Sequence, residues 1–515
     1  MIHLVKIGYW ITRKRYNCII KYSFILIILA ANIFFMEIRD LEPKTVWNNF
    51  TKLNNVPRPS KKEERVIAFA KGFGENLGLP TYVDGVGNVI ISKPATVGME
   101  NRKMVVLQSH LDMVHQKNSE TEFDFDKQGI EMLIDGEWVT ANGTTLGADN
   151  GMGVAAIMSL LESTDIAHPA LEALFTIDEE TGMTGAFGLE PGILKADILL
   201  NLDTEDDDEF SIGCAGGIDT NTKYSYSEEV ASGIAYAITV KGLKGGHSGM
   251  DIHLQRGNAN KIMNRLLWGC EDLELRIAEI NGGSLRNAIP RESFATITVK
   301  NDSYLGIFSK RVEQIKGEFS VSDSGLTIEI SAVDLPEKVM SKSDVFKLTN
   351  VIYALHNGVY RMSMTIEGLV ETSSSLARVI VKDGEFSTQS LQRSSLETAK
   401  MDIAHTIGAG FRLMGCDVEH DGSYPGWDPN ANSEILDLMK GKYQALYNED
   451  PKVMACHAGL ECGILGEIYP NWDMISFGPT IRNPHSPDEK VKIATVAKFW
   501  TLLKDVLKDI PVKEY

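Results

Sequence analysis

Residues 170–205 are ALEALFTIDEETGMTGAFGLEPGILKADILLNLDTE, and they contain two apolar runs that each end in carboxylates. ALEALFTI precedes Asp178, Glu179 and Glu180, and ADILLNL precedes Asp203. Apolar runs of this kind are typical of strands that are buried in a mostly parallel sheet. Because ligands of open α/β sheets bind beyond the carboxyl ends of the strands, we expect these carboxylates to share one crevice.

Three further blocks supply candidate metal ligands. MVVLQ precedes His110, the glycine-rich turn LGADNGMG carries Asp149 at the start of a helical stretch, and RNPHSPDE carries a late histidine. A carboxylate at a helix N-terminus is electrostatically favoured. Two histidines and three carboxylates fit a pair of divalent cations that share one carboxylate and leave a position open for water. The candidate ligands are His110, Asp149, Glu180, Asp203 and His485.

Two other acidic residues accompany this set. Asp112 lies two residues after His110, on the same face of an extended chain, so it can hold the second ring nitrogen of His110. Glu179 and Glu180 are adjacent and therefore point in different directions. One of them can bind metal while the other faces the water.

The blocks HLDMV, GADNG, TIDEETG, LLNLD and NPHSPDE resemble the metallopeptidase family M20, in particular its aminoacyl-histidine (Xaa-His) dipeptidase branch. The likeness extends from about Met36 to the C-terminus. It implies that His110 and Asp203 bind one metal, that Glu180 and His485 bind the other, and that Asp149 bridges them. It also implies that Glu179 is the general base.

The resemblance extends to residues that contact the substrate. His247, in GLKGGHSGMDI, is similar to the family histidine that steadies the oxyanion, and Asn287, in SLRNAIPRE, to a substrate-binding residue. Arg393 is either a ligand for the substrate carboxylate or a solvent-facing arginine at a helix start. Gly459 and Glu461, in CHAGLECGIL, belong to a block that lines the pocket in related peptidases, and a structural turn is an equal alternative for Glu461.

The order of strand-like and helical segments predicts an α/β catalytic domain with a mostly parallel sheet. Residues 36–211 and 412–515 form its two parts, because His485 must return to the site long after Asp203. Residues 212–411 alternate strand-like and helical pieces, which is typical of an inserted α+β domain on an antiparallel sheet. We expect this insertion to serve as a lid or as a dimerisation domain.

Composition restricts the class of protein and its compartment. The formal charge of −19 argues against nucleic acid as a partner. The six cysteines lack CxxC spacing and indicate reduced thiols in a cytoplasmic protein. Residues 1–35 contain an apolar run that fits a signal peptide, an uncleaved membrane anchor or translated upstream sequence. We favour the last, with Met36 as the start, so a membrane partner is expected only if the segment is a genuine anchor.

These features predict hydrolysis of dipeptides, with Xaa-His substrates such as β-alanyl-histidine suggested by the resemblance alone. The expected cofactors are two divalent cations, zinc before cobalt or manganese. A related tripeptidase or an N-acyl-amino-acid amidohydrolase is the alternative, and a non-catalytic metal-dependent binding protein is a further one. The inserted domain of this family commonly pairs subunits or imitates that pairing within one chain, so the resemblance leaves a homodimer and a monomer as alternatives.

Overall fold

The computed structural model describes residues 37–430 and 432–513, so the interpretation of residues 1–35 lies outside the described residues. The strands of the described residues are β1 (Thr81–Val83), β2 (Val89–Lys93), β3 (Val105–His110), β4 (Met132–Asp135), β5 (Trp138–Ala141), β6 (Leu171–Thr176), β7 (Ile198–Asn201), β8 (Glu209–Cys214), β9 (Gly216–Ser225), β10 (Glu228–Val230), β11 (Ile234–Lys241), β12 (Gly246–His247), β13 (Arg276–Gly282), β14 (Ala288–Ile289), β15 (Ser293–Val299), β16 (Thr327–Ala332), β17 (Lys338–Met340), β18 (Gly358–Met362), β19 (Val370–Lys382), β20 (Glu385–Ser394), β21 (Asp417–Tyr424), β22 (Lys452–Cys456), β23 (Asp473–Ser476), β24 (Ile481–Arg482) and β25 (Lys490–Lys492).

The α-helices of the same residues pack around these strands. They are α1 (Lys44–Asn54), α2 (Glu64–Asn76), α3 (Ala148–Glu162), α4 (Thr184–Phe187), α5 (Ala259–Leu267), α6 (Ser303–Glu318), α7 (Lys342–Ala354), α8 (Glu397–Met414), α9 (Glu434–Tyr447), α10 (Glu461–Ile468) and α11 (Ile493–Lys508). No helix among the described residues is both long enough and apolar enough to cross a membrane.

The first sheet has eight strands in the order β1-β2-β6-β3-β7-β23-β8-β22. Its centre, β6-β3-β7-β23, is parallel, as is the edge pair β8-β22. Alternate residues of β3 enter two different cores: Val105 and Leu107 pack in one, and Val106 packs in the other. This two-sided burial explains the unbroken apolar run and confirms the predicted α/β fold with a mostly parallel sheet.

The second large sheet is antiparallel and has its own hydrophobic core. Its strands follow the order β16-β11-β15-β13-β19-β20-β9-β21, with β18 pairing beside β19. Helices α5, α7 and α8 contribute buried residues to the core, among them Ile262, Leu348 and Phe411. We call the part of the chain from β9 to β21 the lid domain, as the sequence suggested.

The strand pairing places both boundaries of the lid domain later in the chain than the sequence predicted. The expected boundary between residues 211 and 212 falls inside β8, which belongs to the first sheet, and the lid begins with β9. The expected return at residue 412 falls inside α8, and β21 still pairs with β9. Both differences arise because strand pairing, rather than a change of local sequence texture, determines which sheet a segment joins.

Candidate metal centre

Three neighbouring strands carry candidate ligands to one edge of the first sheet. His110 is the last residue of β3 and pairs with Thr176 at the end of β6, just before the Asp178–Glu180 turn. Asp203 follows β7, the neighbour of β3 on the other side. The parallel arrangement therefore brings the three predicted strand ends together.

Glycines let the start of α3 approach the same edge closely. Gly147 has a φ of 69°, which favours glycine, and a Cβ on Gly153 would lie 2.4 Å from Ser109 Oγ of β3. The neighbouring Asn150 donates a hydrogen bond to the Leu202 carbonyl oxygen at 2.8 Å. Asp149 is thus held between the ends of β3 and β7.

The five candidate ligands meet in two groups that share Asp149. Asp149 Oδ1 lies 3.2 Å from His110 Nε2, which in turn is 3.6 Å from Asp203 Oδ1. Asp149 Oδ2 lies 3.2 Å from His485 Nε2, which in turn is 3.0 Å from Glu180 Oε2. Each oxygen of one carboxylate therefore faces a different histidine, which is the arrangement of a bridging ligand.

These separations fit divalent cations. Four ligands arranged tetrahedrally at about 2.0–2.2 Å from a metal lie about 3.3–3.6 Å from one another, and the measured separations run from 3.0 to 3.6 Å. The buried Oε1 of Glu180 has no hydrogen-bond partner in the part of the chain that the structure describes. Imidazole and carboxylate donors also suit zinc, cobalt and manganese.

Asp112 connects the first histidine with the Glu179–Glu180 turn. His110 Nδ1 lies 3.4 Å from Asp112 Oδ1 and 3.2 Å from the Asp112 carbonyl oxygen. The same carboxylate accepts hydrogen bonds from Ser60 Oγ and from the backbone N–H groups of Glu179 and Glu180, at 2.8, 3.1 and 3.3 Å. One buried group therefore orients the ring of His110 and fixes the two glutamates relative to it.

Burial raises the pKa of Glu179 well above its ordinary value. His110 opposes this shift, while Asp203, Glu461 and Glu180 act in the same direction as burial. Bound cations would favour the carboxylate form. Glu179 is therefore a group whose affinity for a proton depends strongly on its surroundings, as a general base requires.

A second group of predicted residues lies on the lid and at its junction with the first sheet. His247 Nδ1 accepts backbone N–H groups from Gly249 and Met250 at 3.2 and 3.0 Å, so the ring carries its proton on Nε2. Burial lowers the pKa of His247 to about 4, and the nearby Arg393 acts in the same direction. A neutral imidazole that donates from Nε2 suits oxyanion stabilisation.

Arg393 is a buried cation without an acidic partner among the described residues. It is 4% exposed, its Nε has no hydrogen-bond partner, and its Nη1 donates to the Tyr424 hydroxyl at 2.6 Å. Its Nη2 lies 3.5 Å from His247 Nε2. Arg393 and His247 are thus neighbouring side chains that can both donate hydrogen bonds to an anionic group.

Gly459 belongs to the same group, and Asn287 lies beside it. A Cβ on Gly459 would lie 2.8 Å from the ring of Tyr424, so only glycine allows this approach. The Asn287 carbonyl oxygen accepts the Ser248 N–H at 2.8 Å, next to His247, and the residue is exposed. No hydrogen bond or ion pair of the described residues joins this group directly to the candidate metal ligands.

Comparisons with known proteins identify the family. The model of peptidase family M20/M25/M40 matches residues 106–509. The cytosol non-specific dipeptidase of Escherichia coli (strain K12) is 45% identical over 485 residues, which cover 93% of this chain and 100% of that protein. The chain belongs to peptidase family M20/M25/M40. The resemblance stated from the sequence motifs is thereby confirmed.

Two solved structures share this fold. The crystal structure of aminoacylhistidine dipeptidase from Vibrio alginolyticus has a TM-score of 0.87 and 45% identity, and the match covers 93% of this chain and 99% of that one. Aminopeptidase PepT from Bacillus cereus ATCC 10987 has a TM-score of 0.54 and 16% identity, over 91% of this chain and 99% of that one. M20 peptidases are dinuclear metal enzymes, and the candidate ligands described above fit that property.

Glu461 occupies a different position from the predicted substrate contact. It is 1% exposed in the first turn of α10, where its Oε2 accepts hydrogen bonds from Gln108 and Thr176 at 2.6 and 2.7 Å. Burial raises its pKa to about 7. Glu461 therefore connects β3 and β6, the strands that carry the ligands, through these two hydrogen bonds. Its position in CHAGLECGIL, read as a turn before an apolar segment, gave no indication of this burial.

The sequence analysis missed Glu489, which lies in the same late block as His485. Its carboxylate accepts the backbone N–H groups of residues 146–149 at 2.7, 2.9, 2.7 and 3.2 Å, so it holds the turn that presents Asp149. Burial raises the pKa of Glu489 to about 7, whereas these N–H groups oppose the shift. The signal in the sequence was its position four residues after His485 in NPHSPDE.

Arg58 was missed as well, and it connects two ligand-bearing loops. It is fully buried and donates to the carbonyl oxygens of Leu111 and Asp112, each at 3.0 Å, and of Gly147 at 2.5 Å. Burial lowers its pKa to about 10. The guanidinium group therefore donates hydrogen bonds to buried backbone carbonyl oxygens that lie outside the helices and strands.

Replacing Glu489 by glutamine is expected to weaken metal binding by about 10- to 100-fold, the usual effect of removing a group that orients a ligand. The amide can accept with one oxygen only, and its NH₂ would face the backbone N–H groups that now bind the carboxylate. Competition of the protein with a metal chelator measures the change. The exposed Asp488→Asn is the matched control, and equal affinities in both variants would contradict the role of Glu489.

Proposed function

We propose that this protein is a metal-dependent dipeptidase whose substrates include Xaa-His dipeptides. The observation that carries the proposal is the sharing of Asp149 between His110 and His485, with Glu179 fixed beside them by Asp112. The dipeptide preference is inferred from two relatives that are each 45% identical to this chain, one named a non-specific dipeptidase and the other an aminoacylhistidine dipeptidase. Zinc is the proposed metal, because histidine and carboxylate ligands suit it best among the candidates.

His110 and Asp203 would hold one cation, Glu180 and His485 the other, and Asp149 both. Bound divalent cations supply Lewis acidity and lower the pKa of water toward about 7. Glu179 accepts the proton that water loses as its oxygen attacks the peptide carbonyl carbon, and later gives that proton to the leaving amine nitrogen. His247 donates from Nε2 to the developing oxyanion.

Arg393 and Tyr424 are proposed to bind the free carboxylate of the substrate. A buried guanidinium that lacks an acidic partner gains a bidentate contact when a carboxylate enters. Asn287 and the backbone at Gly459 are proposed as neighbouring substrate contacts. These groups lie on and beside the lid, so a peptide would be held between the lid and the candidate metal centre.

Tyr424→Phe is expected to raise KM for dipeptides about tenfold or more and to leave kcat nearly unchanged. The hydroxyl accepts a charge-assisted hydrogen bond from Arg393, and removing it leaves a buried N–H group unpaired while the ring still packs on Gly459. A contact that holds substrate and transition state equally affects KM alone. Initial rates over a range of Ala-His concentrations measure both constants. The exposed Tyr82→Phe is the control, and an unchanged KM in Tyr424→Phe would contradict the assignment.

A small substrate panel tests the proposed function. The metal-free protein, and the same protein after addition of Zn²⁺, Co²⁺ or Mn²⁺, is given Ala-His, β-Ala-His, Ala-Leu, Ala-Ala-Ala and N-acetyl-Ala. We expect metal-restored cleavage of the dipeptides alone. Cleavage of only the tripeptide or the acyl compound would favour the tripeptidase or amidohydrolase alternative, and inactivity with metal bound would overturn the enzyme assignment.

Two further expectations belong to this proposal. Pairing of two copies through the lid stays a prediction, which analytical ultracentrifugation tests.

A cytoplasmic location is proposed from the scattered cysteines and from the name of the Escherichia coli relative. The cysteines that lie in the described residues are all free thiols.

A further inference from the structure

His247 lies on a glycine-rich segment of the lid domain, from Lys244 to Gly257, which we call the His247 loop. Gly245 and Gly246 have φ values of 64° and 134°, which favour glycine. Glycine loses more conformational freedom on folding than any other residue, so a loop of this composition is costly to order. Contacts from other side chains must therefore hold the loop, and with it His247, in one conformation.

A buried carboxylate closes the base of the His247 loop. Asp323, which is 1% exposed, accepts the backbone N–H groups of Lys244 and Gly257 at 2.9 and 2.8 Å, one on each oxygen. These are the first and last residues of the loop, so a single side chain joins its two ends. The base of the loop is thus fixed within the lid domain.

A second carboxylate closes the tip of the loop around His247. Asp251 Oδ2 accepts the His247 backbone N–H at 2.8 Å, and the Asp251 N–H donates to the His247 carbonyl oxygen at 3.1 Å. Asp251 Oδ1 lies 3.5 Å from Arg256 Nη2, and Arg256 Nη1 donates to the Gly245 carbonyl oxygen at 2.5 Å. This ion pair therefore joins the turn that follows His247 to the residues that precede it.

Gly246 allows the ion pair to lie against the backbone of the loop. A Cβ at this position would lie 2.4 Å from Asp251 Oδ2 and 2.6 Å from Arg256 Nη1, which leaves no room for a side chain. The glycine that gives the loop its freedom thus also lets the two side chains that restrict it come close.

The turn that Asp251 closes also holds the imidazole ring. The two residues whose backbone N–H groups donate to His247 Nδ1, Gly249 and Met250, lie between His247 and Asp251. These bonds place the ring proton on Nε2, which lies 3.5 Å from Arg393 Nη2. Opening of the turn would remove both donors from Nδ1 and make the other tautomer accessible.

We propose that Asp251 is a positioning residue for His247 and holds it in the orientation and tautomer that donate from Nε2 to the substrate. The inference rests on the proposed function, which gives His247 the contact with the oxyanion. A donor that is already in place needs no reorganisation when the oxyanion forms. Asp251 makes no hydrogen bond or ion pair with the candidate metal ligands within the described residues, so it acts through His247.

Asp251→Ala is expected to lower kcat for Ala-His by about 10- to 100-fold, the effect of displacing a catalytic group by about 1 Å. KM is expected to change little, because the oxyanion contact is made in the transition state. Asp251→Asn keeps an oxygen for the His247 N–H and loses only a partly exposed ion pair. Its kcat is therefore expected to stay within about threefold of the unsubstituted value.

Asp344→Ala is the matched control for loss of stability. Asp344 is a buried carboxylate of the lid domain that accepts the Ser227 N–H at 3.0 Å and the Tyr224 hydroxyl at 2.9 Å. No hydrogen bond or ion pair of the described residues joins it to the His247 loop. Asp344→Ala is expected to lower the melting temperature at least as much as Asp251→Ala and to change kcat by less than about twofold.

A double-mutant cycle with His247→Ala separates positioning from a general structural role. If Asp251 acts through His247, Asp251→Ala is expected to change kcat by less than about twofold in the His247→Ala background. A residue that only stabilised the fold would lower kcat by the same factor in both backgrounds.

Nitrogen-15 NMR of histidine-labelled protein gives a readout that does not depend on activity. The His247 signals are assigned by their absence from His247→Ala. We expect one tautomer, protonated on Nε2, in the unsubstituted protein and a mixture of tautomers in Asp251→Ala.

Three results would overturn the inference while the proposed function stands. They are an unchanged kcat in Asp251→Ala, equal losses in the two backgrounds of the cycle, and a ring protonated on Nε2 alone in Asp251→Ala. Failure of the unsubstituted, metal-loaded protein to cleave any dipeptide would instead overturn the proposed function and, with it, the catalytic purpose of this positioning.

Discussion

Asp149→Asn is expected to lose at least one of the two metal ions and to lower kcat/KM for Ala-His by about 10⁴-fold. Asp149 offers one oxygen to the His110 group and the other to the His485 group, whereas asparagine offers a single neutral oxygen and an NH₂ group. Loss of the Lewis acid removes several kcal/mol of transition-state stabilisation, which corresponds to a change of this size.

Electrostatics around Asp149 support this expectation. Burial alone would raise the pKa of Asp149, but hydrogen bonds from His110 and His485 hold it well below its ordinary value. The same contacts, with Glu180, raise the pKa of His485 to about 11. Asp149 is therefore the anion on which the charge balance of both histidines depends, and a neutral amide cannot replace it.

Metal content and activity are measured on the same preparation of Asp149→Asn. Asp165→Asn, at an exposed position, is the matched control. The backbone N–H of residue 149 donates to Glu489 in either form, so the turn is expected to remain folded and the melting temperature of the metal-free protein to change little. Two bound metals and near-normal turnover in Asp149→Asn would refute the bridging role.

The candidate ligands could be proposed from the sequence because their positions follow from local geometry. His110, Glu180 and Asp203 each follow a buried strand, and adjacent parallel strands end at one edge of a sheet. Once β3, β6 and β7 are neighbours, little else is needed to bring these side chains together. Asp149 and His485 required the family motifs in addition, since neither follows a strand of the parallel centre.

The groups that hold these ligands could not be predicted in the same way. Glu489 caps a turn about 340 residues earlier in the chain, and Arg58 connects two loops that only the finished fold brings together. Their local sequences are ordinary, because a buried polar partner is defined by the acceptors or donors around it. The hydrogen bonds of Glu461 to Gln108 and Thr176 could not be read from the sequence for the same reason, so its two alternative roles stayed open.

The paired charges of residues 206–209 illustrate the same limit. From sequence, the run EDDDE at residues 205–209 is a uniform acidic segment, and nothing separates its first member from the others. The structure gives each of residues 206–209 a basic partner, whereas no ion pair of the described residues involves Glu205. Which acidic side chains are paired thus depends on the cations that the finished fold brings within reach.

Glu179→Gln is expected to retain both metal ions and to lose about 10³- to 10⁴-fold in kcat, with KM changed little. Removal of a general base has an effect of this order. Glutamine keeps the size of the side chain and the backbone N–H that donates to Asp112, but its amide cannot accept the proton of the attacking water. An interaction needed only in the transition state lowers kcat and leaves substrate binding intact.

Steady-state rates with Ala-His and a metal assay on Glu179→Gln measure the two halves of this expectation. The exposed Glu190→Gln is the matched control and is expected to behave like the unsubstituted protein. Because Glu179 is not among the five candidate ligands, loss of metal in Glu179→Gln would show that it binds a cation itself. Full turnover with both metals bound would transfer the role of base to another group near the centre, and Glu461, whose buried Oε1 has no hydrogen-bond partner among the described residues, would be the next candidate.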